Sequence, residues 1–206
     1  MSLTVWLGFL VAAVLIAVTP GPGAVISMST GMRHGYCAAL TAILGLQAAI
    51  LVHLSIVAFG LGALLAASET AFVVVKFVGA AYLLWLGVQK WRAPPVPVDA
   101  NAPPVRRKGL FLQGLLVNLT NPKAIIFIAA LVPQFIDPAR QQIGQYVLIG
   151  FTLCLTDLAV MSGYALAASR LGRWLHDPRI IHFQNKAFGG MFVTAGALLA
   201  ASSRPA

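Results

Sequence analysis

Charge is what this chain has least of. Only 9% of its 206 residues are Asp, Glu, Lys or Arg, and five are acidic, where a soluble domain carries about 25% charged residues. Met1 to Met32 hold no charged side chain, and between Arg33 and Glu69 only His34 and His53 interrupt the apolar run. With 59% hydrophobic residues and a mean hydropathy of +0.87, such runs exceed the ~20 residues that a membrane span needs. This excludes a soluble globular domain and makes the lipid bilayer the first partner. Cysteine is scarce too. Cys37 and Cys154 lie far apart beside apolar stretches, which gives no disulfide framework or metal-ligand spacing and leaves them as small packing residues. The net charge of +9 is not gathered into one soluble segment, so it points to membrane topology and away from nucleic acid. No basic segment precedes the first apolar run, and Pro-Gly-Pro-Gly interrupts it, so residues 3–32 read as a span and not as a cleaved signal peptide.

Six spans fit at roughly 3–32, 38–66, 70–89, 110–133, 143–169 and 185–202, the last near the ~17-residue lower limit. The expected organisation is a three-helix repeat over 1–92, a Pro-rich cytoplasmic linker over 93–109, and a second three-helix repeat over 110–206. The linker holds Ala93-Pro94-Pro95-Val96-Pro97, Asn101-Ala102-Pro103-Pro104 and Arg106-Arg107-Lys108, an extended composition. Placing it inside also puts Arg33, Lys90, Arg92, Arg170, Arg173, Arg179 and Lys186 inside, ten cations in all. Three, Lys76, Arg140 and Arg204, remain outside. By the positive-inside rule both termini are then periplasmic. Trp6, Trp85, Trp91 and Trp174 fall near span ends, as interfacial anchors do.

Two proline breaks occupy corresponding places in the halves, Thr19-Pro20-Gly21-Pro22-Gly23 and Asn118-Leu119-Thr120-Asn121-Pro122-Lys123-Ala124. A proline within a helix costs ~3 kcal/mol or more, and in hydrocarbon the freed backbone groups survive only where protein or a wet cavity covers them. Paired breaks of this kind mark a transporter's central site. Pro20 and Pro122 are 102 residues apart, Gly45 and Gly150 are 105 apart, and Lys76-x-x-Gly79 and Lys186-x-x-Gly189 are 110 apart. Since each half has three spans, the second enters the membrane from the opposite side. The expected class is all-α: a polytopic membrane protein whose six transmembrane helices form an inverted 3+3 repeat, with helices one and four broken.

The polar residues within these spans are the candidates for chemistry. Lys123 stands some ten residues from either span end, roughly 15 Å at 1.5 Å per residue, too deep to snorkel readily. Such a cation costs at least ~2.5–3.5 kcal/mol at the bilayer centre and faces the bundle interior. It could dock a substrate carboxylate together with the half-helix start at Asn121 and Pro122, or satisfy the carbonyls of a broken helix. Pro20, Gly21, Pro22 and Gly23 free backbone groups for substrate or form a hinge; alternatively they only shape packing. Asp157 is the one acidic residue inside a predicted span. Because apolar surroundings disfavour its ionised form, it could carry a proton, pair with Lys123 or clamp a substrate ammonium. A purely structural hydrogen bond is the competing account. His53 could relay protons or form a polar track with Gln47, although lone histidines in apolar runs are more often structural. Gln47 and Asn118 are substrate candidates that interhelical hydrogen bonding explains equally well. No cofactor is called for. Ser55 beside His53 raises the idea of an intramembrane enzyme, but no nucleophile motif surrounds it. A divalent-metal exporter would need clustered oxygens or thiolates.

At these residues the chain resembles the LysE/RhtB family of amino-acid exporters. The resemblance rests on the Pro-Gly-x-Gly turn after an apolar first helix and on Val117 to Ala124, followed by Val132-Pro133-Gln134-Phe135-Ile136. Lys76 to Gly87, with Gly79 and Trp85, adds to it, and together these cover nearly the whole chain. The resemblance implies an inner-membrane exporter of small amino acids and derivatives, homoserine, its lactone and threonine among them, driven by the proton-motive force. Two departures stand out: Ile50 where many members have an acidic residue, and a double-proline turn.

Overall fold

The computed structural model describes residues 1–61, 69–94, 109–171 and 178–201. The linker residues 95–108, Arg173, Trp174 and Arg204 lie outside this set, so the expectations placed on them have no structural counterpart. Every described element is helical: α1 Leu3–Val18, α2 Pro22–His34, α3 Tyr36–Ile56 running into a π-turn Val57–Leu61, α4 Glu69–Arg92, α5 Leu110–Leu119, α6 Pro122–Leu131 ending in a 3₁₀ turn Val132–Phe135, α7 Gln142–Leu171, and α8 Pro178–Ala201.

Both breaks fall where proline dictates. Pro22 and Pro122 occupy the first helical position of α2 and α6, where the missing N–H would have no intrahelical partner anyway. The chain turns by 55° between α1 and α2 and by 56° between α5 and α6. Each bent pair is long and apolar enough to make one broken span, as are Tyr36–Gly60 and Gln142–Arg170 as single helices, giving up to four crossings by length and composition among the described residues. Helices α4 and α8 have 24 residues each, about 36 Å at 1.5 Å per residue, long enough to span a bilayer. The last helix is longer than the expected 185–202. Its extra turns carry Arg179 and His182, polar residues that a hydropathy-based boundary trims away.

Among the described residues, two of the three buried apolar clusters flank the breaks, one on each side. One gathers Phe9, Ile50, Leu54, Phe127, Val132 and Ile149 from α1, α3, α6 and α7. The other gathers Ala24, Ile43, Leu46, Leu110, Met161 and Ala165 from α2, α3, α5 and α7, on the side from which the linker leaves α4 and enters α5. Helices α4 and α8 pack against each other and dock on α6 through Ala80, Leu83, Ala130, Phe192 and Leu199. Large side chains on the rim, such as Phe59, Val147 and Phe151, are exposed, the inside-out pattern expected when the solvent is lipid.

Backbone contact tightens the linker side. A Cβ on Gly45 would lie 2.0 Å from the carbonyl oxygen of Phe111, and one on Gly114 2.0 Å from that of Ala42, so α3 and α5 cross with no room for a side chain. A Cβ on Gly31 would lie 2.6 Å from the carbonyl oxygen of Ala165, joining α2 to α7 in the same way. Small residues at such crossings let backbones approach and supply the dispersion contacts that hold helices together in lipid.

Candidate functional site

Between the two apolar clusters, where the breaks meet, lies a cavity of about 60 Å³, room for several waters at ~10–15 Å³ each. Its walls include Gly21, Gly23 and Ala24 from the first break, Asn118, Asn121 and Lys123 from the second, and Asp157 from α7. Candidate residues from both halves of the sequence therefore converge on one space. Pro20, Pro22 and Pro122 shape it without lining it, and Gln47 reaches it through Asp157.

Lys123 crosses between the halves. Its Nζ donates to the carbonyl oxygens of Ile16 at 2.8 Å and Thr19 at 2.6 Å. These belong to the C-terminal turn of α1, where carbonyls lack helical partners and carry partial negative charge. The lysine of the second break thus completes the broken helix of the first. Thr19 Oγ1 donates to the Leu15 carbonyl at 2.8 Å, and Tyr164 donates its hydroxyl to the Val18 carbonyl. Sequence reasoning misses Tyr164. The available signal is its spacing, seven residues after Asp157, which returns to the same helical face.

The second break is closed by asparagines. Asn121 caps α6, its Oδ1 accepting from the Lys123 backbone N–H at 3.1 Å, and its Nδ2 donates to Asn118 Oδ1 at 3.2 Å. Asn118 in turn donates to the Leu46 carbonyl at 3.0 Å, binding α5 to α3. Asn118 is therefore both interhelical glue and cavity wall. Part of the amide surface expected at the start of α6 is taken up by its own cap.

The polar track from Gln47 to His53 is not formed. Six residues on one helix lie about 240° apart in projection at 3.6 residues per turn, so the two side chains leave α3 on different faces. Gln47 Nε2 instead donates to Asp157 Oδ2 at 2.7 Å, and its Oε1 is buried with no hydrogen-bond partner. His53 Nε2 sits 3.1 Å from the Asn118 carbonyl oxygen, outside the cavity wall and apart from Asp157, an arrangement that secures the second break. Ser55 donates to the carbonyl of Leu51, an ordinary helical contact. Trp6, expected as an interfacial anchor, also donates to Thr152 Oγ1 at 3.1 Å. Lys123 and Asp157 share the cavity without forming an ion pair, each being bonded to neutral groups.

The LysE type translocator family matches residues 14–203. The chain belongs to the LysE family. It is thus a translocator built of membrane helices and not an enzyme. It is 43% identical over 198 residues to the homoserine/homoserine lactone efflux protein of Salmonella typhimurium, 96% of each chain being covered. It is 44% identical over 201 residues to an uncharacterized membrane protein of Vibrio cholerae, covering 97% of this chain and 98% of that one. A leucine efflux protein of Klebsiella pneumoniae is 32% identical over 205 residues, with 95% and 94% covered. No solved structure matches.

Proposed function

We propose that this LysE-family member is a secondary transporter that exports small neutral amino acids and their derivatives, homoserine, homoserine lactone and threonine among them, in exchange for protons. The observation that carries this reading is the placement of Lys123, Asp157 and the broken backbone of Gly21 to Ala24 around one cavity. An amino acid needs both signs of charge at its ends, and these groups offer both within a short reach. The efflux names of relatives at 43% and 32% identity support the direction and the substrate class. Six spans as an inverted 3+3 repeat, in a bacterial inner membrane with both termini periplasmic, complete the reading: α1/α2, α3 and α4 correspond to α5/α6, α7 and α8. Such a pair of halves can rock about a central site. Asp157 is the proton-responsive group and faces Gln47 from α3 and Lys123 from α6; His53, bonded to backbone, has a structural part. Inward proton movement supplies about 2.3 kcal/mol per charge for each 100 mV, before any pH gradient.

The apolar walls Leu46, Ile50 and Phe127, together with the leucine efflux relative, favour a second reading in which a larger apolar amino acid is carried. Vesicles loaded with labelled homoserine or leucine separate the two. Efflux of the true substrate saturates and accelerates when a pH gradient is imposed, and gradient-independent, nonsaturating leak of both rejects the coupled carrier.

A further inference from the structure

The two breaks create four helix ends around the cavity, and the ends are not equally satisfied. The C-terminus of α1 is held by Lys123, Tyr164 and Thr19. The C-terminus of α5 is held by His53 on the Asn118 carbonyl and by Thr120 on that of Leu116, and the N-terminus of α6 by the Asn121 side chain. The N-terminus of α2 has no side-chain cap, because its N-cap residue is Gly21, and its first turn lines the cavity at Gly21, Gly23 and Ala24. On the α7 side the opposite polarity is in excess. Gln47 Nε2 is bonded to Asp157 Oδ2, and Oε1 of the same amide is buried without a partner. An unpaired acceptor on the amide that holds a carboxylate is satisfied by a donor with several hydrogens.

Building on the proposed function, we infer that the bound amino acid lies in one orientation, its carboxylate on the uncapped first turn of α2 and its ammonium against Asp157 Oδ and Gln47 Oε1. The free N–H groups of Gly23 and Ala24 and the positive helix end receive the anion, with Lys123 alongside. Gln47 Oε1 completes the acceptor pair. This assigns the carboxylate to the first break, not to the start of α6, which Asn121 already caps. A lactone keeps the ammonium contact and forgoes the one at α2, since its carboxyl group is closed into an uncharged ester.

The test introduces a competing anion. Gly21 is in extended backbone (φ −142°, ψ −167°), which any residue adopts, and a Cβ there would meet Lys123 Nζ at 3.6 Å and its Cδ at 3.7 Å, ordinary contacts. Gly21→Asp therefore supplies a favourable N-cap whose carboxylate occupies the anion seat. Binding of labelled L-homoserine and of L-homoserine lactone is measured on the purified full chain in nanodiscs, with Gly21→Asn as the uncharged variant of the same shape. Homoserine binding should weaken about tenfold or more in Gly21→Asp, the scale of a lost charge-assisted contact, and less in Gly21→Asn. Lactone binding should change less than homoserine binding in both variants. Equal losses for the two ligands, or for the two variants, overturn the orientation while leaving the transporter reading standing. A wild-type protein that binds neither ligand overturns both.

Discussion

Lys123 and Asp157 are conspicuous in the sequence because ions are rare in apolar spans, yet their partners are not. Partner choice depends on which helix faces cross. Lys123 bridges to the carbonyls of Ile16 and Thr19, 107 and 104 residues away, and Asp157 bonds to Gln47, 110 residues away. Removing Lys123 as a donor leaves acceptors in α1 that only water can satisfy, and each such buried group costs roughly 1–3 kcal/mol. Lys123→Met should therefore lower the melting temperature of the detergent-solubilised protein and stop efflux together. A variant that loses efflux at unchanged melting temperature would show that the lysine acts on substrate alone. Asp157→Asn has a different expected signature. The amide keeps a hydrogen-bonding partner for Gln47 but cannot exchange a proton, so counterflow of labelled against unlabelled substrate should persist while stimulation by a pH gradient disappears. Persistent stimulation removes Asp157 from coupling.

At the scale of elements, the breaks and most helix extents are legible because proline, glycine and charge act locally. Pro22 and Pro122 start helices where their missing N–H is harmless, and the apolar runs of α3 and α7 leave little choice of structure. What local rules do not reveal is the use of glycine between helices: Gly45 stands out in the sequence as a repeat marker, whereas its contact with Phe111 is a property of the α3–α5 crossing. Tyr164 escapes for a related reason, since a tyrosine near the end of a span reads as interfacial until the carbonyl it meets is known. The crossing makes a strict demand. A valine at Gly114 must push the Ala42 carbonyl aside, and overpacking of this kind typically costs ~1–3 kcal/mol. Gly114→Val should cut folded yield and melting temperature, whereas Gly144→Ala, whose new methyl group would meet nothing within 4 Å, should leave both near wild type. Equal behaviour of the two variants would mean that the close crossing is not needed.

For the molecule as a whole, the two sides of the cavity are shut by different means. Away from the linker the closure consists of large side chains, with Phe9 edge-on to Phe135 at 5.2 Å between ring centroids, and such side chains can yield by rotamer change. On the linker side the closure is backbone against backbone, at Gly31–Ala165, Gly45–Phe111 and Gly114–Ala42, and it opens only if α2 and α5 separate from α7 and α3 as bodies. Within that seal Thr30 is fully buried with its hydroxyl unpartnered, a group that gains hydration when the helices part and so slightly favours opening. Alternating access by rocking of the halves then has an observable consequence at this residue. In protein lacking Cys37 and Cys154, Thr30→Cys should resist a hydrophilic thiol reagent at rest and become reactive from the linker side when substrate and a pH gradient drive turnover. A Thr30→Cys thiol that reacts equally fast at rest and during turnover would place the resting seal elsewhere, and one that stays unreactive during sustained efflux would show that substrate passes without parting α2 from α7.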